Sequence, residues 1–205
     1  GQNAIIVIAG ANADLNPDRV AAGLTALTAG DILVVQLEIP IPAVETALRI
    51  ARQRGATAIL NAAPAGAVAD LLPDVDILVV NEFEAATVAG LDRVDELDFA
   101  AVAGLLAERH SRAVIVTVGS DGAWLAAGGQ LIKIDALPVT PVDSTGAGDA
   151  FVGALAALLA QGHPLEQSTR WAAAAGAHAC LKVGAQAGAP TLDDLTAIFG
   201  LDFGR

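Results

Sequence analysis

Short, nearly unbroken apolar runs recur at residues 5–9, 32–36, 58–61, 77–80 and 113–118, and between them the apolar positions fall at helical spacing. Alternation of this kind predicts an α/β domain. Because the runs are continuous and do not alternate with polar residues, each strand is expected to be covered on both faces, as in a mostly parallel sheet between two layers of helices. After Val118 the pattern changes, and residues 123–127, Gly128-Gly129 and 131–134 read as an antiparallel β-hairpin with a glycine turn. Helices return at 147–160, 165–181 and 193–199, the last opened by Pro190-Thr191 with Asp194 three residues on, close to a capping box. Pro40 and Pro42 start a further helix that carries residues 45–52. No repeat, low-complexity tract or long linker divides the chain, so one domain over 1–205 is expected.

With 205 residues, 54% of them hydrophobic and 17% charged, the chain has ample material for one packed core. Its formal net charge of −12 works against a polyphosphate backbone, which needs clustered Lys and Arg, so nucleic acid is not an expected partner. An anionic ligand would have to be held locally, by backbone N–H groups, helix N-termini or a bound cation. Cys180 is the sole cysteine, which excludes an intramolecular disulfide and fits a reducing compartment, the cytoplasm. His110, His163 and His178 are scattered without metal-ligand spacing and read as surface or packing residues. The longest apolar run, 150–160, falls well short of the ~20 residues of a spanning helix, and no membrane role is expected. A start at Gly1 and the lack of any methionine together point to a piece of a longer chain.

The stretch that carries chemistry is Asp143-Ser144-Thr145-Gly146-Ala147-Gly148-Asp149-Ala150-Phe151, which leads from a turn into an apolar helix. Gly146 and Gly148 let the backbone approach a ligand, and the first N–H groups of the helix point outward with the positive end of its dipole behind them. That makes an anion hole. A carboxylate on the same helix start, Asp149, is expected to be ionised and able to accept a proton. A base beside an oxyanion site points to phosphoryl transfer to a hydroxyl, a reaction that needs positioning and charge neutralisation more than covalent work. The structural alternative is a tight turn with an N-terminal Asp. No P-loop motif occurs, and Gly146-Ala147-Gly148 has Phe151 where a dinucleotide fingerprint needs its third glycine.

The segment 143–149 is similar to the D-[TS]-x-x-A/G-G-D signature of the ribokinase-like (PfkB) carbohydrate kinases. Gly10-Ala11-Asn12-Ala13, Gln36-Leu37-Glu38, Leu60-Asn61-Ala62-Ala63-Pro64-Ala65, Asn81-Glu82-Phe83-Glu84-Ala85, Thr117-Val118-Gly119-Ser120-Asp121-Gly122 and Gly184-Ala185-Gln186 resemble family segments in the family's order. The resemblance implies a three-layer α/β/α fold and ATP-dependent phosphorylation of a sugar, with Gln36-Leu37-Glu38 and Gly184-Ala185-Gln186 tilting the substrate to D-ribose over fructose or a nucleoside. A nucleotide-binding remnant that transfers nothing is the alternative.

Carried over residue by residue, the resemblance makes Asp149 the general base and Ala147, Gly148 and Asp149 the anion hole. Asn81 and Glu84 would contact the phosphates and organise Mg²⁺ through water; by themselves they read as a strand-end turn. Thr117, Gly119, Ser120, Asp121 and Gly122 would lie along ATP, and Glu38 would hydrogen-bond the sugar. Asp143 and the carbonyls of Thr145, Ala179, Lys182 and Gly184 match a site for K⁺ or another monovalent cation. Two positions depart from the pattern: Gly188 stands where a serine ligand is common, and Ala173 where Asn or His often meets the adenine. By the family's layout the first strands, the main sugar ligands and the lid that mediates homodimerisation precede Gly1, so Gly1–Arg205 alone is expected to lack ribose kinase activity and to expose an apolar sheet edge.

Overall fold

The computed structural model describes residues 8–66, 68–92, 94–109 and 112–202. Six strands form one sheet in sequence order: β1 (Ile32–Val35), β2 (Thr57–Asn61), β3 (Ile77–Asn81), β4 (Ala113–Thr117), β5 (Ala123–Ala127) and β6 (Gln130–Ile134). β1 to β4 are parallel, while β4–β5 and β5–β6 are antiparallel. The hairpin therefore extends the sheet. The expected strand at 5–9 lies largely outside the described residues, and its last two, Ile8 and Ala9, are not in a strand.

Side chains alternate across the sheet with the strand period. Ala58, Leu60, Leu78, Val80, Val114 and Val116 enter one core, together with residues of α2 (Ile41–Arg54) and α4 (Phe99–Arg109). Ile59, Ile77, Val79, Ala113 and Ile115 enter a second core against α5 (Ala147–Ala160) and α6 (Leu165–Ala179). Both faces are covered, which makes three layers and explains the unbroken apolar runs. β1 differs: Val34 is 42% exposed, so the outermost parallel strand is covered mainly on one face.

Local signals account for the helix ends. α1 (Pro17–Gly23) begins after Asn16, whose Oδ1 accepts from Arg19 N, and α2 begins behind Pro40 and ends at Gly55 in the left-handed region. α3 (Glu82–Ala89) starts at Asn81 and α7 (Leu192–Phe199) at Thr191, each through a full capping box. Leu195 of α7 packs with Leu158 and Trp171, fastening the C-terminal helix to α5 and α6. Between β2 and β3 the chain makes only a 3₁₀ turn at Leu72–Asp74, where helical spacing had predicted more.

Candidate functional site

The parallel strands end on one side of the sheet, the side on which open α/β sheets bind ligands. Leu37 N donates to Ala63 O (2.9 Å), which ties the loop after β1 to the loop after β2. Asn81 ends β3 and caps α3: Glu84 N donates to Asn81 Oδ1 (2.9 Å) and Asn81 N donates to Glu84 Oε2 (2.8 Å). Glu84 is 6% exposed, and burial pushes its carboxyl above the usual range, partly offset by the hydrogen bond from Asn81. The box leaves Glu84 Oε1 and Asn81 Nδ2 without a hydrogen-bond partner among the described residues. Thr117 ends β4, with its hydroxyl donating to Val80 O (3.3 Å).

The start of α5 closes this group. Gly146 has φ +80°, and a Cβ there would come within 2.8 Å of Ala185 Cα, so a positive φ and a close backbone approach both demand glycine. Gly148 has open space where its side chain would be. Ala147 N donates to Ser144 O (3.2 Å) and Ala150 N to Gly146 O (2.9 Å). The N–H groups of Gly148 and Asp149 are thus the ones left without a partner among the described residues, and no side chain caps the helix. Of the three residues expected to form the anion hole, Ala147 thus has its N–H engaged by Ser144 O, while Gly148 and Asp149 do not.

Asn61, Ala63, Asn81, Glu84, Thr117, Gly146, Gly148 and Asp149 line a single cleft of about 150 Å³. Five expected site residues meet there: Asn81, Glu84, Thr117, Gly148 and Asp149. Asn61 was given no role by sequence; its Nδ2 donates to Val79 O (3.1 Å) and it ends β2 opposite Val79. Glu38 is exposed and Gly119, Ser120 and Asp121 form a 3₁₀ turn that leads through Gly122 into β5; none of these lines the cleft. A larger cleft, about 440 Å³, opens at the opposite ends of the strands. Four of its six charged residues are paired, Arg52 with Asp74 (2.6 Å) and Arg112 with Asp76 (3.5 Å), and its α-helical lining residues come from the C-terminal ends of α2 and α4.

The residues expected around a monovalent cation fall on two abutting loops. Gly184 N donates to Asp143 Oδ2 (2.9 Å), Thr145 N and Oγ1 donate to Asp143 Oδ1 (2.9 and 2.7 Å), and Val142 N donates to Cys180 O (2.7 Å). The hydrogen bonds from the Thr145 hydroxyl, first, and from Gly184 N and Thr145 N hold the Asp143 carboxyl below its usual value. Ala179 is wholly buried at the end of α6, and no described donor reaches its carbonyl oxygen. Lys182 is exposed beside it. Among the described residues no group of three or more His, Cys, Asp or Glu could hold a metal ion, and no helix is long and apolar enough to cross a membrane.

Comparison with known proteins bears on the family and the fold. Residues 1–192 match the model of the pfkB family carbohydrate kinases. The chain is 42% identical over 160 residues to the bifunctional ribokinase/ribose-5-phosphate isomerase A of Fructilactobacillus sanfranciscensis, covering 78% of this chain and 30% of that protein. It is 35% identical over 200 residues to the ribokinase of Staphylococcus aureus (97% and 66% covered) and 30% identical over 203 residues to the deoxyribokinase of Salmonella typhi (98% and 66%). Among solved structures, ribokinase of Thermotoga maritima superposes with TM-score 0.85 at 30% identity, and Arabidopsis thaliana ribokinase, complexed with ribose and ATP, with 0.81 at 26%; each covers 98% of this chain and 66% of the other. The chain spans less than two thirds of the length of the first three.

Proposed function

Since the chain belongs to the pfkB family of carbohydrate kinases, we propose that it supplies the phosphoryl-transfer site for converting D-ribose and ATP to D-ribose 5-phosphate and ADP. The observation that carries this reading is the meeting of Asp149 and two free helix N–H groups with Asn81, Glu84 and Thr117 around one cleft at the carboxyl ends of the strands. Asp149 takes the proton of the primary hydroxyl, that oxygen bonds to the γ-phosphorus, and the bond to the ADP oxygen breaks. Gly148 N–H and Asp149 N–H receive the charge on the transferring phosphoryl oxygens, with the α5 dipole behind them. Thr117, Gly119, Ser120, Asp121 and Gly122 border the nucleotide, and Glu38 reaches the sugar.

Two ions fit the residues present. Glu84 Oε1, the carboxylate oxygen the capping box leaves over, would accept from water bound to Mg²⁺, an ion that would neutralise phosphate charge when bound with ATP, while Asn81 Nδ2, a donor, would reach a phosphate oxygen. Asp143 with the carbonyls of Thr145, Ala179, Lys182 and Gly184 would hold K⁺; a buried carbonyl without a donor, that of Ala179, is the feature in favour.

The test is Asp149→Asn, which removes the base and keeps the helix start. In the complete protein, turnover of ribose is expected to fall by roughly 10²–10⁴ while ATP binding by calorimetry is retained. Phosphorylation at the wild-type rate would remove Asp149 from its role. The deoxyribokinase relative makes 2-deoxyribose a second candidate substrate, and the ratio of kcat/KM for the two sugars decides between them.

A further inference from the structure

His178 lies in the last turn of α6, is 2% exposed, and has no part in the transfer reaction described above. Burying an imidazole carries a desolvation penalty unless its nitrogens are hydrogen-bonded, whereas an apolar side chain would be buried there without one. Nδ1 of His178 stands 2.9 Å from Gly188 O. A carbonyl oxygen only accepts, so the hydrogen is on Nδ1 and His178 donates. That bond folds the loop after α6 back onto the helix end, so tightly that a Cβ on Gly188 would meet Ala179 O at 2.5 Å. A serine cannot be placed at 188 without moving backbone.

From Gly188 a line of contacts runs to the catalytic helix. Gly188 N donates to Gly184 O (3.2 Å), Gly184 N donates to Asp143 Oδ2 (2.9 Å), and Asp143 Oδ1 accepts from both Thr145 N and Thr145 Oγ1. Ala185, in the same loop, fills the space a side chain on Gly146 would need. We propose that His178 is a positioning residue: through Gly188, Gly184 and Asp143 it sets the start of α5, holding Gly148 N–H and Asp149 ready for a nucleotide phosphate. The inference rests on the kinase reading of that helix start. A histidine that merely filled the core would leave Asp143–Gly146 indifferent to the loss of its N–H.

The test compares His178→Leu with His178→Asn, whose short amide offers an N–H near the Nδ1 position. Two quantities are read on the 205-residue chain: hydrogen exchange of the bonded amides of Thr145, Ala147, Gly184 and Gly188, and the affinity for ADP with magnesium. In the Leu variant, exchange at all four amides is expected to quicken and ADP affinity to fall, each by about tenfold, the scale of one lost hydrogen bond. Exchange in β2 to β4 stays as in the parent, and the Asn variant recovers both properties. Gly188→Ala, which pushes the loop away from the other end of the same bond, gives the same pattern and serves if the Leu variant does not fold. Parent-like exchange at Thr145 and Ala147 in both the Leu and Ala variants overturns the proposal, as does an Asn variant no better than Leu. If the parent chain itself fails to bind ADP, the kinase reading falls, and the exchange comparison still decides whether His178 sets the helix start.

Discussion

Glu84 is a carboxylate kept where it is unfavourable. Its burial favours the neutral form, so stability is lost as pH rises from its ordinary value of 4.5 through the raised one. A neutral amide can accept the same hydrogen bond from Asn81 N and carries no charge to desolvate. Glu84→Gln is therefore expected to melt at or above the parent temperature at pH 8 and to lose phosphoryl transfer by tenfold or more, on the order of one charge-assisted contact. A variant that is less stable and fully active would show that the carboxylate serves the fold alone. The burial that creates this tension was not legible in the sequence, because it arises from packing between α3 and the sheet. Asp149 and Gly148 were legible, since the residues that present them are contiguous in the chain. The engagement of the Ala147 N–H by Ser144 O is not legible in the sequence, because it depends on the positive φ of Gly146.

At the scale of elements, α3 and α7 use the same device at different addresses. Thr191-x-x-Asp194 was read as a cap, whereas Asn81-x-x-Glu84, with identical spacing, was read as a phosphate contact or a strand-end turn; in the structure both are capping boxes. The eight-residue helix α3 escaped individual notice because it begins inside a motif and has no long apolar stripe. Strands β1 to β4 and α5 were legible to within a residue, their signal being burial on both faces or a glycine-rich start. The paired caps give a controlled comparison. Asn81→Ala and Thr191→Ala are each expected to lose about 1 kcal/mol of stability, a drop of roughly 2–4 °C in Tm for a chain of this size. Only Asn81→Ala, whose side chain lines the cleft, is expected to weaken nucleotide-dependent turnover as well. Equal loss of activity in both would mean that the caps act through overall stability and that Asn81 has no contact with the nucleotide.

For the molecule as a whole, 23 acidic and 11 basic residues give a net charge of −12, so the folded state repels itself at neutral pH and is relieved as carboxylates take up protons. Glu84 acts in the same direction, because its raised value makes the folded state the better proton binder above 4.5. Three carboxyls act oppositely: Asp31, Asp143 and Asp194 are held below 3.8 by hydrogen bonds, mainly from Thr28, Thr145 and Thr191. Their contribution is complete above 3.8 and disappears as pH falls through their depressed values. Between these limits stability is expected to reach its maximum on the acid side of neutrality. Thermal melts from pH 3 to 9 at fixed ionic strength are expected to show Tm rising from pH 9 down to that point and collapsing below it. At pH 8, sodium and tetramethylammonium chloride should raise Tm equally by screening exposed like charges, an effect of range about 8–10 Å near physiological salt. Potassium should add a further increment if the loops of Asp143 and Gly184 hold it, since a ligand bound only by the folded state stabilises it. A Tm highest at pH 8 would contradict the charge argument, and equal effects of all three salts would remove the cation from the site while leaving that argument standing.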